Sequence, residues 1–411
     1  RSHFGSSFRA AQGLQQILAH TSMAPNNALG NPSAGELRRA AEEQDEGNPK
    51  RQKIHESTSS RIAYADGFGA GAISPAEVAS RGTGSATRTP LEEFEAQPNS
   101  EVRCFFTGLM FITRLPCPGW CNHHPGYLMR AMAWFPLLGS IVGIWASTWF
   151  DALTLLWSPF IAAACSAAAT LWLTGCFHED GLCDTVDAFG GGWTKAQILK
   201  IMKDSRCGSY AVMAGSLWVL TKTAALGSLG PSHWILGSST GAGPALLVGN
   251  TVARATSAPL IYVYEYIIDN EDAKGEYYNW FGESRRLLGL PRVIFALSSA
   301  AAVSFLVMPA KTAIIVVVVG WTATALAGMY GKSVLGGVMG DFLGATICMT
   351  ELAIYLILAA DFERLKASAD ELGWLEVLSP ALRLVALVVA PQAYAHLVRG
   401  PLDWDGKDCC L

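Results

Sequence analysis

From about Phe105 onward the chain is a succession of apolar windows, each near the length needed to cross about 30 Å of hydrocarbon as a helix. No other feature limits the fold as much. Inside a bilayer every backbone N–H and C=O must be satisfied by the protein itself, and windows of this length satisfy that as helices. The windows run near Ala131 to Phe150, Ser158 to Phe177, Ser209 to Leu229, Ala242 to Val263, Arg292 to Met308, Thr312 to Tyr330, Ala345 to Ala360 and Glu376 to Val398. Those starting at Arg292 and Ala345 are marginal, and Phe105 to Leu115 is too short to span and is expected in the interface. A hydrophobic fraction of 51% with only 16% charged residues places 411 residues outside the range of a soluble domain. The expected fold is all-α, a polytopic membrane helical bundle with about seven or eight spans.

Three regions follow from the composition. Residues 1–100 are rich in Gly, Ser, Pro and Glu, carry the charged run Glu36 to Lys53, and hold too few apolar residues to bury a core. They are expected to be a disordered extension, with an organelle-targeting segment as one reading, although their acidic residues argue against a simple transit peptide. Lys50-Arg51-Gln52-Lys53 is read as incidental, and nothing in the chain asks for a nucleic-acid partner. Residues 101–360 form the membrane domain. Residues 361–411 are a C-terminal extension with one further candidate membrane helix.

The ten cysteines are scattered, and Cys165 and Cys348 lie within apolar windows as small hydrophobes. Cys117 with Cys121, and Cys409 with Cys410, lack partners at zinc spacing. The ending Asp-Cys-Cys-Leu is not a prenylation signal, which needs Cys four from the end, where this chain has Asp408.

Basic residues orient the bundle. Arg103, Arg114, Arg130, Lys195, Lys200, Lys203, Arg206, Lys274, Arg285, Arg286 and Lys332 fall in loops on one side, while the opposite connections offer little beyond Lys311. The positive-inside rule puts the charged loops on the cytoplasmic or equivalent organelle side of a bacterial-type inner membrane or an organelle membrane. Asp361 to Leu372, with Arg364 and Lys366, falls on the other side, so the last window is read as interfacial or re-entrant if the rule is to hold.

On the basic side, the stretch from His178 to Asp187 carries the clearest chemistry. As a helix it spaces Asp180, Asp184 and Asp187 at i, i+4, i+7 and stacks them on one stripe, with His178 turned away. Three like charges on one face repel unless a cation sits among them. Hard oxygen ligands suit Mg²⁺, with Mn²⁺ as an alternative, and Mg²⁺ completes its shell with water and substrate phosphates. The bland alternative is a solvated acidic loop between two spans.

Gly190-Gly191-Gly192 leads into an amphipathic segment in which Ala196, Ile198, Leu199, Ile201 and Met202 alternate with Lys195, Lys200 and Lys203. It is expected along the membrane surface. It ends in Lys203-Asp204-Ser205-Arg206-Cys207-Gly208, two cations within one loop of the aspartates, which suits a pyrophosphate whose leaving end gathers charge. Anchoring at the headgroups is the alternative for both cations. A second glycine-rich loop, Gly331 to Gly344, includes Gly336, Gly337, Gly340 and Asp341 and lacks the P-loop order. Glycines there allow a phosphate to approach the backbone. Asp341 is a candidate for the metal or for the nucleophile's proton. Lys222, Arg254, Glu351 and Arg383 fall inside apolar windows, where ionisable groups face the bundle interior or snorkel. Lys222 and Arg254 are candidates to extend a cationic pocket beneath the acidic loop.

With these residues assembled, the chain resembles the cobalamin synthase family, adenosylcobinamide-GDP ribazoletransferases, from about Phe105 to Ala360. The blocks are Phe111-Ile112-Thr113-Arg114-Leu115-Pro116, Phe135-Pro136-Leu137-Leu138-Gly139, Phe177-His178-x-Asp180-Gly181-Leu182-x-Asp184-Thr185-x-Asp187, Ile201-Met202-Lys203-Asp204-Ser205-Arg206-x-Gly208 and Leu335-Gly336-Gly337-x-x-Gly340-Asp341-x-x-Gly344-Ala345. Glu179 stands where members often carry Leu, and Ala188 where Gly is common; neither removes a candidate ligand. The resemblance implies transfer of α-ribazole, or its 5′-phosphate, onto adenosylcobinamide-GDP with release of GMP. It implies Asp180, Asp184 and Asp187 as Mg²⁺ ligands and Lys203 and Arg206 as cations at the leaving group. His178 or Asp341 would accept the hydroxyl proton. Asp204 joins the catalytic set, and Ser205, Lys222, Arg254, Gly336, Gly337 and Gly340 the substrate-binding set. The bilayer is the expected surroundings, and a homo-oligomer is left open.

Rival readings fit less well. CDP-alcohol phosphotransferases follow their first Asp-Gly with Ala-Arg, absent after Asp180-Gly181, and no Asn-Asp-x-x-x-Asp pair of a prenyltransferase stands out. A transporter would also bear intramembrane charges, but no second half repeats the first and the acids gather at one face.

Overall fold

A computed structural model describes residues 90–121, 124–267, 280–374 and 376–383. All of them lie in one compact unit, 85–411. Of the extension expected over residues 1–100, the part before residue 90 falls outside the described residues, as does most of the last apolar window, from 384 on. Within that extension Pro90–Ala96 is helical and Phe94 is buried in the core, so residues 90–100 are not the disordered segment expected. Among the described residues the architecture is helical, with no strand and two isolated β-bridges. This is the expected all-α bundle.

Three short elements come first, α1 (Pro90–Ala96), α2 (Glu101–Ile112) and α3 (Pro125–Ala131), the last of them opening the first spanning segment. Ser100 caps α2 by accepting from Arg103 N. With 12 residues α2 is about 18 Å long, too short to cross, as expected of an interfacial helix. It is held to the bundle by Glu101, which accepts from Arg292 at 2.7 Å and from Trp134 Nε1 at 3.0 Å.

After a 3-10 turn over Met132–Trp134 come α4 (Phe135–Thr154) and α5 (Pro159–Thr174). Gly175 and Cys176 then both take left-handed backbone, φ +68° and +59°. Two such residues in succession end α5 and send α6 (Phe177–Gly191) off at 93° to it. The acidic helix therefore leaves the direction of α5, and it lies outside the four described helical segments that are by themselves long and apolar enough to cross a membrane. Thr194 and Gln197 form a capping box that starts α7 (Lys195–Met202), whose Ile198 and Met202 are buried while its lysines are exposed, the expected amphipathic segment. α8 (Ser209–Ser228), α9 (Ala242–Arg254), α10 (Ser257–Val263), α11 (Ser284–Val307), α12 (Ala310–Val334), α13 (Gly340–Ala359) and α14 (Phe362–Leu372) follow.

Four described helical segments are long and apolar enough to cross a membrane, Pro125–Thr154, Ser284–Val307, Ala310–Val334 and Gly340–Ala359, or five if the bent α5–α6 pair is one span. The windows suggested more. Ala242 to Val263 is broken after Arg254 into α9 and α10. Ser209 to Leu229 forms one helix, α8, whose Ser, Thr and Lys residues dilute its hydropathy. The marginal windows became full helices, although α11 carries a non-helical Gly289 and Pro291 near its start. α14 is capped by Asp361, which accepts from Arg364 N. The interior between α6, α8 and α13 is packed by Leu182, Trp218, Ala345, Cys348 and Leu352, with Trp218 Nε1 donating to Cys348 O at 2.9 Å.

Candidate active site

The acidic helix forms as the spacing predicted, and its stripe grades from exposed to buried: Asp180 is exposed, Asp184 half-buried and Asp187 buried. A fourth acid joins them from α13. A Cβ at Gly181 would lie 2.7 Å from Asp341 O, so only glycine lets the N-terminus of α13 sit this close to α6. The result is crowding of like charge. Burial first, then the neighbouring carboxylates of Asp180, Asp341 and Asp187, push Asp184 up to about 7.

The three aspartates are not used alike. Asp187 Oδ2 accepts from Gly208 N at 2.6 Å and its Oδ1 from Ala211 N at 2.9 Å. Asp180 and Asp184 have no such backbone bonds. Among the described residues no three His, Cys, Asp or Glu side chains close on one point as a ready-made metal cage. Mg²⁺ suits such an open arrangement, because it is held through one or two carboxylates with substrate phosphates and water completing the octahedron. The hard oxygens of Asp180 and Asp184, crowded by like charge, fit that partial shell.

The cationic loop lies next to the stripe through the Asp187 bonds to Gly208 and Ala211. Lys203 ends α7 and is exposed. Arg206 is folded onto Asp204, with Nε donating to Oδ1 at 2.9 Å and to Oδ2 at 3.0 Å. Those hydrogen bonds hold the Asp204 carboxyl down at about 2. Ser205 is exposed between them.

The second glycine loop packs against residues 265–267. Val338 N donates to Glu265 O at 2.9 Å and Ile267 N to Val338 O at 2.8 Å, so part of its backbone is already bonded. A Cβ on Gly336 (φ +85°) would meet Lys195 Nζ at 2.9 Å, one on Gly337 would run into Glu265 O, and one on Gly340 would meet Tyr266 Oη at 3.3 Å. Lys195 thus places a cation beside Gly336. In the sequence Lys195 reads as part of an amphipathic face and of the basic side of the bundle, and spacing along the chain carries no signal for its place beside Gly336.

His178 does not reach the acidic edge. Its ring is 2% exposed, Nδ1 has no partner, and it packs edge-on against Phe177 at 5.2 Å. Lys222 and Arg254 are spent inside the bundle instead of lining an open cationic pocket. Lys222 Nζ lies 2.9 Å from Glu351 Oε1, Arg254 Nη1 lies 3.9 Å from Glu351 Oε2, and Tyr355 Oη donates to Glu351 Oε1 at 2.6 Å. All four side chains are buried. Glu351, Lys222 and Arg254 each stand out in the sequence as intramembrane ionisable residues, but their pairing does not. Arg383, the other charge flagged in an apolar window, is exposed and donates to Ser379 O at 3.3 Å. Arg114 flanks the bend, since a Cβ on Gly175 would lie 2.9 Å from its Nε.

Helices apolar enough to cross a membrane, with an acidic helix set at 93° to α5 and bonded to a cation-bearing loop, define a helical membrane-embedded protein. The family model for cobalamin-5-phosphate synthase matches residues 104–359, and the chain belongs to that family. It is similar to the adenosylcobinamide-GDP ribazoletransferases of Shewanella frigidimarina, 32% identical over 260 residues, and Shewanella piezotolerans, 34% identical over 263 residues. Each match covers 63% of this chain and 95% of the relative. The Shewanella baltica enzyme of the same name is 34% identical over 261 residues, with the same coverage. No solved structure matches.

Proposed function

We infer that this chain is an enzyme, an adenosylcobinamide-GDP ribazoletransferase, which joins adenosylcobinamide-GDP to α-ribazole or its 5′-phosphate. The products are adenosylcobalamin, or its 5′-phosphate, and GMP. The observation that carries this reading is the family match over 104–359, which contains every candidate site residue, with relatives covered almost end to end. In the reaction a ribose hydroxyl attacks the phosphorus on the corrinoid arm, the bond from that phosphorus to the GMP oxygen breaks, and the hydroxyl proton leaves.

Asp180 and Asp184 are the residues proposed to hold Mg²⁺, with Mn²⁺ as the substitute ion. Bound there, the ion would neutralise diphosphate charge and polarise the phosphorus under attack. Lys203 and Arg206 face the leaving GMP, and Arg206 exchanges Asp204 for a phosphate oxygen as the substrate arrives. Asp341 is favoured over His178 as acceptor of the hydroxyl proton, because Asp341 adjoins the stripe and His178 is buried behind it. Lys195 beside Gly336 adds a second cation to the same face.

The site is proposed to face the cytoplasm or the equivalent organelle compartment, on the distribution of basic residues. Cys207, exposed on the cationic loop, is a native probe: a membrane-impermeant maleimide should label it only from that side. The decisive assay supplies membranes holding this chain with adenosylcobinamide-GDP, α-ribazole 5′-phosphate and Mg²⁺. GMP and a complete corrinoid are expected; no product with any divalent ion overturns the reading.

A further inference from the structure

Helix α8 begins with a glycine at its N-cap. Gly208 has no side chain with which to satisfy the first amides of the helix, and no cap bond comes from within the segment. The first four N–H groups of a helix lack intrahelical partners, and an acceptor near them is stabilising, the more so when it is negatively charged. Asp187 supplies that acceptor from another helix. One oxygen takes Gly208 N at 2.6 Å and the other takes Ala211 N at 2.9 Å, the cap and third positions of α8. The fit is reciprocal, because a Cβ at position 208 would stand 2.6 Å from Asp187 Oδ1. Glycine at 208 and a carboxylate at 187 therefore require one another.

The bond also joins the two halves of the site. Lys203 and Arg206 lie five and two residues ahead of Gly208, and Asp180 and Asp184 lie two turns and one turn ahead of Asp187 on the acidic stripe. We propose that Asp187 is a positioning residue that caps α8 across the chain and so fixes the cationic loop against the acidic helix, leaving the metal to Asp180 and Asp184. This rests on the transferase reading for its effect on turnover, but the contact itself does not. A misplacement of about 1 Å costs on the order of 10²-fold in rate, so a loosened loop should cost turnover without costing the metal.

The test compares wild type, Asp187→Asn, Gly208→Ala and Asp184→Asn as full-length protein in detergent. Hydrogen exchange is read over the peptide containing Gly208 and Ala211, Mn²⁺ binding by electron paramagnetic resonance, and kcat and KM in the product assay. Asparagine keeps the shape of Asp187 but turns a donor toward one of the two amides. In Asp187→Asn and Gly208→Ala, exchange at the start of α8 should rise at least about tenfold, with the rest of the chain unchanged. Mn²⁺ affinity in both should stay within about threefold of wild type, while kcat falls on the order of 10²-fold with little change in KM. Asp184→Asn should lose Mn²⁺ and leave exchange at α8 alone.

Loss of Mn²⁺ in Asp187→Asn matching that in Asp184→Asn overturns the proposal, since Asp187 would then be a ligand. Unchanged exchange at 208–211 overturns it too, as does a rise throughout the chain in both variants, which would make the contact a determinant of the whole fold. If wild type forms no product, the transferase reading fails while exchange and Mn²⁺ binding still decide the role of Asp187.

Discussion

Lys222 Nζ sits 2.9 Å from Glu351 Oε1 with both side chains buried between α8 and α13, so two residues that sequence spacing keeps 129 positions apart neutralise each other in the bundle interior. Removing one member of such a pair strands a buried charge, at a cost of about 3–5 kcal/mol, whereas replacing both by apolar side chains is far milder. Lys222→Met and Glu351→Gln should each lower the thermal unfolding midpoint in detergent. The double variant Lys222→Met/Glu351→Gln should lose less than the sum of the single losses, although Arg254 is left without its carboxylate. Additive losses would deny the pairing.

If Asp184 holds the proposed Mg²⁺, its carboxyl should set how the need for the ion varies with pH. With its carboxyl pushed up to about 7, it is mostly protonated at pH 6 and mostly ionised at pH 8. A cation must displace that proton, so the Mg²⁺ concentration giving half-maximal turnover should fall as pH rises across this interval. Asp184→Asn and excess EDTA should each abolish product formation. A half-saturating concentration that ignores pH argues against Asp184 as a ligand.

His178 should behave as a packing residue. His178→Gln is expected to keep kcat within about threefold while lowering thermal stability, because loss of a true general base costs about 10²–10⁴-fold. A fall of that size at unchanged melting temperature would return the proton to His178.

Arg206 should matter more than its partner Asp204. Arg206→Ala is expected to lower kcat by about 10²-fold, as for removal of a single donor to developing negative charge. Asp204→Ala should change kcat less than about tenfold, since it only releases the guanidinium. Steady-state kinetics on the two variants separate these outcomes, and equal losses would make Asp204 part of the reacting site.

What was legible in advance follows from what a linear pattern encodes. Asp180, Asp184 and Asp187 fell on one stripe because helical periodicity alone dictates it, and Asp341 stood out as an acid ending a glycine-rich loop. The different employment of Asp187 was not legible, since periodicity gives the face of a helix and says nothing of which amides lie across from it. The same limit hid the partnership of Glu351 with Lys222 and Arg254, which the sequence reading assigned to substrate. The helical bundle and the short amphipathic helix α7 were legible from hydropathy. The break after Arg254 and the turn at Gly175-Cys176 were not, because an average over a window is blind to one or two residues that change the direction of the backbone.

That turn makes α5 the stem on which the acidic helix is mounted. A helix advances about 1.5 Å and rotates about 100° with each residue, so the 16 residues of α5 set both the height and the compass bearing of everything beyond Cys176. A single residue inserted in α5 would barely raise the site, yet it would swing the acidic stripe by more than a quarter turn, away from α13 and the cationic loop. Chain length in that one helix is therefore under a tighter constraint than its side-chain chemistry, for the helix acts as a screw thread whose pitch keeps two distant parts in phase.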